Sequence, residues 1–178
     1  MQDLKAGNAV FFDALVADGP DPAFAPKMTL YDRVLGDWEL EVIDHGADGS
    51  RRVSTGEVHF VWVLEGRAIQ DVWIVPARSE RNPDLPSRGN RYGTTLRVYD
   101  PTEDVWRVTW FNPVNGTMSL LVARQVGDDI VQEGEGADGS RIRWSFTRIT
   151  PTSFHWVGEV SRDGGESWQV QSEFVGRR

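Results

Sequence analysis

The spacing of apolar residues divides the chain into a short helical start and a long β-structured remainder. Between residues 3 and 17 the apolar side chains recur three or four positions apart, which predicts an amphipathic helix. A second helical turn is predicted around 27–35. From Gly36 onward the period is two, as in β-strands. We therefore expect a helical segment over 1–35 and a β-domain over 36–178.

Clusters of turn-forming residues divide the β-domain into ten candidate strands. The strands are predicted at 37–45, 51–64, 66–76, 92–100, 104–112, 116–126, 129–136, 140–148, 152–161 and 167–176. The short connections favour an antiparallel meander, and closing it into a barrel pairs both of its edge strands. The predicted fold is therefore all-β, an up-and-down antiparallel barrel of about ten strands.

One face of these strands is consistently apolar and aromatic, and it is predicted to point into the barrel. All eight tryptophans fall on this face. Its members include Trp38, Phe60, Trp62, Ile69, Asp71, Trp73, Tyr92, Thr94, Leu96, Trp106, Trp110, Asn112, Trp144, Trp156, Trp168 and Phe174. The other face is rich in charged residues and is predicted to face solvent. The run MSLLVA, starting at Met118, does not alternate, so the sequence does not determine which face of its strand points inward.

The hexapeptide Gly-Ala-Asp-Gly-Ser-Arg occurs twice, at 46–51 and at 136–141. In a meander both copies lie at the same end of the barrel, together with the long loop 77–91. Asp-Gly is a strong hairpin signal because glycine accepts positive φ, and the acidic spacing of a calcium loop is absent. We interpret the repeat as two hairpin turns at an open end, with the helical segment near the opposite, closed end.

Several short motifs carry a resemblance to a known superfamily. Gly36-Asp37-Trp38 opens the first strand and two arginines, Arg177 and Arg178, follow the last. This resembles the calycin and lipocalin pattern, in which a basic residue packs over the indole at the closed end. A Tyr-Asp-Pro turn at 99–101, a Trp-x-x-Pro segment at 110–113 and an Asp-Gly-Gly-x-x-Trp hairpin at 163–168 extend the likeness to bacterial calycin-like proteins of unknown function. The resemblance implies a calycin-like barrel and indicates no catalytic residue.

Composition and charge narrow the classes of function. The 178 residues carry a formal net charge of -8, which disfavours a nucleic acid or an anionic membrane as partner. The chain has no cysteine, so disulfides and thiolate chemistry are excluded. It shows no secretory start and no apolar run of about 20 residues. We expect a soluble, cytoplasmic protein.

The three histidines do not predict a metal or haem site. His45 lies at a turn, and His59 and His155 have outward parity. The Gly-x-Trp-x-Gly-x-Gly start of the haem-binding nitrobindins, which are calycin relatives, is also missing from this sequence. We therefore expect no metal and no cofactor.

Asp71 is the one acidic residue predicted to point inward in the middle of a strand. A buried carboxylate is costly unless it is paired or protonated. One interpretation is a structural aspartate bonded to an indole N–H, a tyrosine or a buried water. The other is a general acid or base in an aromatic pocket, which would make the protein a cofactor-independent isomerase, lyase or cyclase.

The aromatic interior also has two interpretations. The large side chains fill the barrel, which then acts only through protein contacts, or they line a cavity for a flat apolar ligand. Inward polar residues near the open end favour a cavity, since they would orient a ligand. The candidate ligand-binding residues are Trp62, Trp73, Tyr92, Thr94, Trp110, Asn112, Trp144, Trp156, Arg78 and Arg91. The leading predicted function is binding of a small hydrophobic ligand that is aromatic or anionic.

The loop 77–91 is net positive in an otherwise acidic chain. It carries four arginines, including Arg78 and Arg91, against Glu80 and Asp84. It is either a plain solvated loop or a lid that favours a ligand with a carboxylate or phosphate, which arginine binds bidentately.

A homodimer is also a candidate arrangement. Four apolar residues on adjacent strands have outward parity and form a patch that a second copy could cover. They are Val61, Val63, Val72 and Ile74.

Overall fold

Residues 4–81 and 90–178 are described by the structure, a computed structural model. The chain starts with helix α1 (Leu4–Leu15), the two-residue strand β1 (Val16–Ala17), helix α2 (Ala25–Met28) and a 3-10 helix (Thr29–Val34). The following strands are β2 (Gly36–His45), β3 (Arg51–Val63), β4 (Ala68–Val75), β5 (Arg91–Asp100), β6 (Val105–Asn112), β7 (Thr117–Val126), β8 (Asp129–Glu135), β9 (Arg141–Thr150), β10 (Ser153–Ser161) and β11 (Gln169–Arg177). A short 3-10 turn, Arg78–Glu80, follows β4. Within the described ranges, no helix has the length and apolar character that crossing a membrane requires.

The ten strands β2 to β11 form a closed antiparallel barrel. Each strand pairs with its neighbours in the chain, and β11 returns to pair with β2, with Phe174 opposite Val42. Closure leaves the barrel without a long unpaired edge. β1 adds to the side of β3, where Val16 lies opposite Val63. The predicted all-β up-and-down barrel is confirmed.

The N-terminal segment plugs one end of the barrel. Met28, Tyr31 and Val34 are fully buried and belong to the hydrophobic core. At the start of β2, Nε1 of Trp38 donates to the carbonyl of Val34 at 2.8 Å, and the guanidinium of Arg178 lies 4.0 Å from the indole. The basic residue that the Gly-x-Trp pattern predicts over the indole is therefore Arg178.

The two hexapeptides form matching turns at the opposite end. The N–H of Gly46 donates to the carbonyl of Ser50 at 2.9 Å, and the equivalent bond in the second copy is 2.8 Å long. Gly49 and Gly139 have φ values of 81° and 77°, in the left-handed region that favours glycine. Their interpretation as repeated hairpin turns is confirmed.

Strand β5 faces the opposite way from the prediction. The sequence pattern places Tyr92, Thr94 and Leu96 inside. The structure instead buries Gly93, Thr95 and Arg97. The physical reason is charge: Asp71 on β4 is buried and needs a cation, and Arg97 supplies it from the neighbouring strand. This requirement outweighs the apolar character of Leu96.

Trp168 lies on the outer face, so the prediction that every tryptophan points inward is wrong at this position. A bulge between β10 and β11 sets Gly158 opposite Ser172 but the next residue opposite Val170. One extra residue in a strand moves all later side chains to the other face. The indole of Trp168 consequently stacks on the guanidinium of Arg143, 4.0 Å away.

The four residues of the predicted dimer patch do not form an exposed apolar surface. Val63 and Ile74 are fully buried within the chain, and Val61 alone of the four is largely exposed. β1 accounts for part of the difference because it pairs over the end of β3. The patch as predicted is therefore wrong, and the homodimer itself stays a prediction.

On β7, the sequence pattern did not determine which face points inward. The structure buries Leu121 of this strand.

Candidate functional site

A cavity of about 210 Å³ lies at the end of the barrel that carries the hexapeptide turns. The residues that line it are Trp73, Val75, Arg91, Thr95, Arg97, Trp110, Asn112, Trp144, Trp156, Gly158, Gln171, Ser172 and Phe174. The wall is thus mostly aromatic and includes a few polar groups, which is the usual composition of a small-molecule site. The barrel is hollow at this end, whereas the N-terminal segment and the core fill the other.

The aromatic rings of the wall hold one another in place. Trp156 packs against Trp73, Trp144 and Phe174 with ring centroids 5.9, 5.8 and 4.9 Å away. Trp73 and Phe174 are 5.1 Å apart and nearly perpendicular. Such edge and tilted contacts are favourable for aromatic rings. The flat surfaces that a ligand would meet are therefore fixed before it enters.

Two glycines make room for tryptophan rings along the wall. A Cβ added to Gly158 would lie 2.6 Å from a ring carbon of Trp156, and a Cβ at Gly93 would overlap the ring of Trp110. Glycine inside a strand commonly marks such a close approach. These positions keep the two rings against the wall and the space beside them open.

The deepest polar group of the cavity is the guanidinium of Arg97, which is 2% exposed. Its Nη1 donates to the carboxylate of Asp71 at 2.5 Å, and the other carboxylate oxygen accepts the backbone N–H of Thr95 at 2.8 Å. The guanidinium carbon lies 5.0 Å from the ring of Tyr31 and 5.6 Å from that of Phe60. The ion pair is thus enclosed by aromatic rings.

One hydrogen-bond donor of Arg97 is left without an acceptor in the part of the chain that the structure describes. Nε of Arg97 is buried and has no hydrogen-bond partner within residues 4–81 and 90–178. Asn112 also lines the cavity, and its side-chain oxygen accepts the backbone N–H of Val114 at 3.1 Å. Burying an unpaired donor is costly.

A buried tyrosine, Tyr31, lies directly beneath the guanidinium of Arg97. Burial raises the pKa of Tyr31 well above its ordinary range, although the charge of Arg97 opposes the shift. The hydroxyl of Tyr31 therefore stays neutral, and it donates to Gln132 at 3.1 Å. Tyr31 and Gln132 thus form a buried hydrogen-bonded pair beneath the cavity.

Arg91 spans the mouth of the cavity. Its two terminal nitrogens donate to the carboxylate of Asp44 at 2.9 and 2.8 Å. The hydroxyl of Ser172 donates to the same carboxylate at 2.8 Å. The guanidinium carbon of Arg91 lies 5.3 Å from the ring of Phe174, which places it above the aromatic wall.

The structure brings together six of the eleven predicted site residues in the cavity wall: Trp73, Arg91, Trp110, Asn112, Trp144 and Trp156. Trp62 points inward but lies in the core near the closed end. Tyr92 and Thr94 are on the outside, because β5 has the opposite parity. Asp71 is buried behind Arg97 and does not line the cavity.

Arg78 lies on the outer surface and does not reach the cavity. Its Nε and Nη2 donate to the carboxylate of Glu57 at 2.8 and 2.9 Å, and its backbone N–H donates to the same group at 2.8 Å. These bonds lower the pKa of Glu57 to about 2. They attach the start of the predicted lid to β3. Residues 82–89, the rest of that loop, lie outside the described residues, and the lid stays a prediction.

Replacing Glu57 with glutamine is expected to remove a pH-dependent part of the stability. The folded-state pKa of about 2 lies below the ordinary 4.5, so the ionised carboxylate stabilises the fold above about pH 4.5 and loses this effect as the pH falls toward 2. We expect Glu57→Gln to cost about 1–3 kcal/mol at neutral pH and nothing measurable near pH 2. Urea unfolding across this pH range measures the difference. Glu41→Gln, on the exposed face of β2 and opposite Thr55, is the control and should cost nothing measurable at either pH.

The histidines lie away from the cavity. His45 and His155 each bond to Glu173 through Nε2 at 2.7 Å, and His59 bonds to Asp37 through Nδ1 at 2.6 Å. His45 and His155 both lower the pKa of Glu173 by hydrogen bonding to it, and His45 has the larger effect. In the described ranges, no group of three histidine, cysteine or acidic residues is arranged to hold a metal ion.

Comparison with known proteins gives a likeness in fold. No family model matches the chain, and no curated protein sequence matches it significantly. Among solved structures it is similar to the S-type phycobiliprotein lyase CPES from Guillardia theta, with a TM-score of 0.56 and 12% sequence identity. The similarity covers 83% of this chain and 89% of that one. It confirms the calycin-like, lipocalin-type barrel that the sequence predicts.

Proposed function

We propose that the barrel binds a small, flat, hydrophobic molecule that carries an anionic group, in the cavity at its open end. The observation that carries this proposal is the combination of a preformed aromatic wall with two arginines that line the cavity, Arg91 at the mouth and Arg97 at the floor. Aromatic rings favour stacking with a flat ligand, and guanidinium donors favour a carboxylate, sulfonate or phosphate.

The similarity to a phycobiliprotein lyase supports the coarse part of the proposal, which is ligand binding by a barrel of this fold. The finer part, the aromatic and anionic character of the ligand, rests on the lining residues of this chain. The alternative role of Asp71 as an acid or base has no contact in its favour within the described residues, since Arg97 and Thr95 occupy its carboxylate. That role stays a prediction.

The probe 1-anilinonaphthalene-8-sulfonate tests the proposal, because it is flat and anionic and its fluorescence rises in apolar surroundings. We expect saturable binding to one site per chain, with energy transfer from the tryptophans of the wall. Trp156→Ala should weaken this binding about tenfold, since Trp156 lines the cavity and packs against three other rings of its wall. A fluorescence titration gives the dissociation constants.

Trp168→Ala is the matched control. It is the same substitution on the outer face, where the indole stacks on Arg143. It should leave the affinity for the probe unchanged. Equal losses in the two variants, or the absence of saturable binding to the parent protein, would contradict the proposed function.

A further inference from the structure

The ion pair of Arg91 and Asp44 crosses the opening of the barrel. Asp44 is on β2 and Arg91 is on β5, and the barrel places β3 and β4 between them. The bidentate bond therefore joins two sides of the mouth and is not a contact between paired strands. Arg91 lines the cavity, whereas Asp44 holds it from the rim together with Ser172.

Among the described residues, the charges at the cavity sum to zero. The guanidinium groups of Arg91 and Arg97 are matched by the carboxylates of Asp44 and Asp71. The inner pair is sealed, since the side chains of Arg97 and Asp71 are 2% and 0% exposed. The outer pair reaches solvent, since those of Arg91 and Asp44 are 32% and 34% exposed. Of the two pairs, only the outer one can exchange its partner without opening the core.

The terminal edge of the Arg91 guanidinium, formed by Nη1 and Nη2, can bind one bidentate anion at a time. Both of its terminal nitrogens are engaged by Asp44 in the structure. A ligand carboxylate or sulfonate that approaches this end of the guanidinium needs the same two nitrogens, because anions of this shape match the planar fork that they form. An anionic ligand that keeps Asp44 in place therefore meets a cavity without net positive charge.

We propose that Asp44 is a specificity-determining residue that competes with the anionic group of the ligand for Arg91. The inference rests on the proposed function and deepens it. A ligand gains the bidentate contact with the two terminal nitrogens of Arg91 only when its anion displaces the carboxylate of Asp44. Specificity is a difference of affinities, and an internal competitor lowers the affinity for every anion while leaving neutral ligands unaffected.

Two probes of matched shape test this competition. One is 1-anilinonaphthalene-8-sulfonate, and the other is N-phenyl-1-naphthylamine, which has the same rings without the sulfonate. Asp44→Asn should lower the dissociation constant of the anionic probe about tenfold and change that of the neutral probe less than about twofold. Added salt should reduce the gain, because it screens the released charge of Arg91.

Three further variants locate the effect at Arg91. Ser172→Ala keeps the charge of Asp44 but removes a bond that holds it, so it should shift the affinity for the anionic probe in the same direction and by less. Arg91→Met should weaken binding of the anionic probe. The double variant Asp44→Asn/Arg91→Met should bind it more weakly than Asp44→Asn, because both lack the carboxylate and only Asp44→Asn keeps the guanidinium. The melting temperature of each variant reports whether the fold is intact.

The outcomes separate this inference from the proposed function. A parent protein that binds neither probe contradicts the proposed function, and the competition with it. A parent that binds both probes but gives an Asp44→Asn variant with equal shifts for the two, or with no shift, overturns the competition alone. A double variant that binds the anionic probe as tightly as Asp44→Asn would also overturn it, because the gain would then not depend on Arg91.

Discussion

Replacing Arg97 with methionine is expected to lower the free energy of unfolding by about 3–5 kcal/mol. Methionine has a similar volume, but it leaves the carboxylate of Asp71 fully buried with the backbone N–H of Thr95 as its remaining hydrogen-bond donor in the described part of the chain. A buried charge without its partner is among the costliest single defects. Native domains are stable by only about 5–15 kcal/mol, so the loss is a large share of the total. Urea unfolding followed by tryptophan fluorescence measures it.

Two comparisons separate the buried charge from the loss of an arginine in general. Arg107→Met on β6 is the same substitution at a side chain that is 51% exposed and bonded to Asp100, where an ion pair contributes about 0–1 kcal/mol. The double variant Asp71→Val/Arg97→Met removes both buried charges and should recover most of the loss. If Arg97→Met costs no more than Arg107→Met, the pair does not stabilise the barrel.

The barrel is predictable from sequence wherever one strand face is apolar and the other is polar. On β2, Trp38, Leu40 and Val42 alternate with acidic residues, and all three are buried. In such a strand a shift by one residue would move every apolar side chain into water, so the pattern determines the parity. The same alternation on β6 correctly places Trp110 and Asn112 inside.

Strand β5 shows where this reasoning fails. Its buried face carries Arg91, Thr95 and Arg97, while Tyr92 and Leu96 are on the outside. A hydrophobic pattern cannot show which face of a strand points inward when that face carries charged groups. A usable signal was nonetheless present in Asp71, because a buried carboxylate requires a cation and β5 is the strand that follows in the meander. Arg97 lies two residues beyond Thr95, the partner of Asp71 in the pairing of β4 and β5.

The sequence gives no local indication of contacts between strands that are brought together only by the curvature of the barrel. Asp44 and Arg91 are 47 residues apart and meet only because the mouth brings β2 and β5 face to face. Trp168 moves to the outer face through a single extra residue in β11, and the hairpin motif around it is compatible with either parity. The cavity is thus predictable as an aromatic interior, whereas its ionic mouth and floor follow from the three-dimensional arrangement.

Replacing Gly158 with alanine is expected to weaken binding of 1-anilinonaphthalene-8-sulfonate about tenfold to a hundredfold. The added Cβ would lie 2.6 Å from a ring carbon of Trp156, so the indole must leave the wall and enter the space of the ligand. Overpacking of this kind costs about 1–3 kcal/mol, and a ligand that pushes the ring back bears that cost. Fluorescence titration and the melting temperature measure the two effects separately.

Gly176→Ala is the matched substitution at the other end of the barrel. A Cβ at Gly176 would overlap the ring of Phe154, which belongs to the filled core and is remote from the cavity. It should lower the melting temperature to a similar extent and leave the affinity for the probe unchanged. If both variants lose affinity equally, the loss follows global destabilisation. If Gly158→Ala binds the probe as the parent does, the ligand does not contact the wall at Trp156, and the stacking that the proposed function requires is absent.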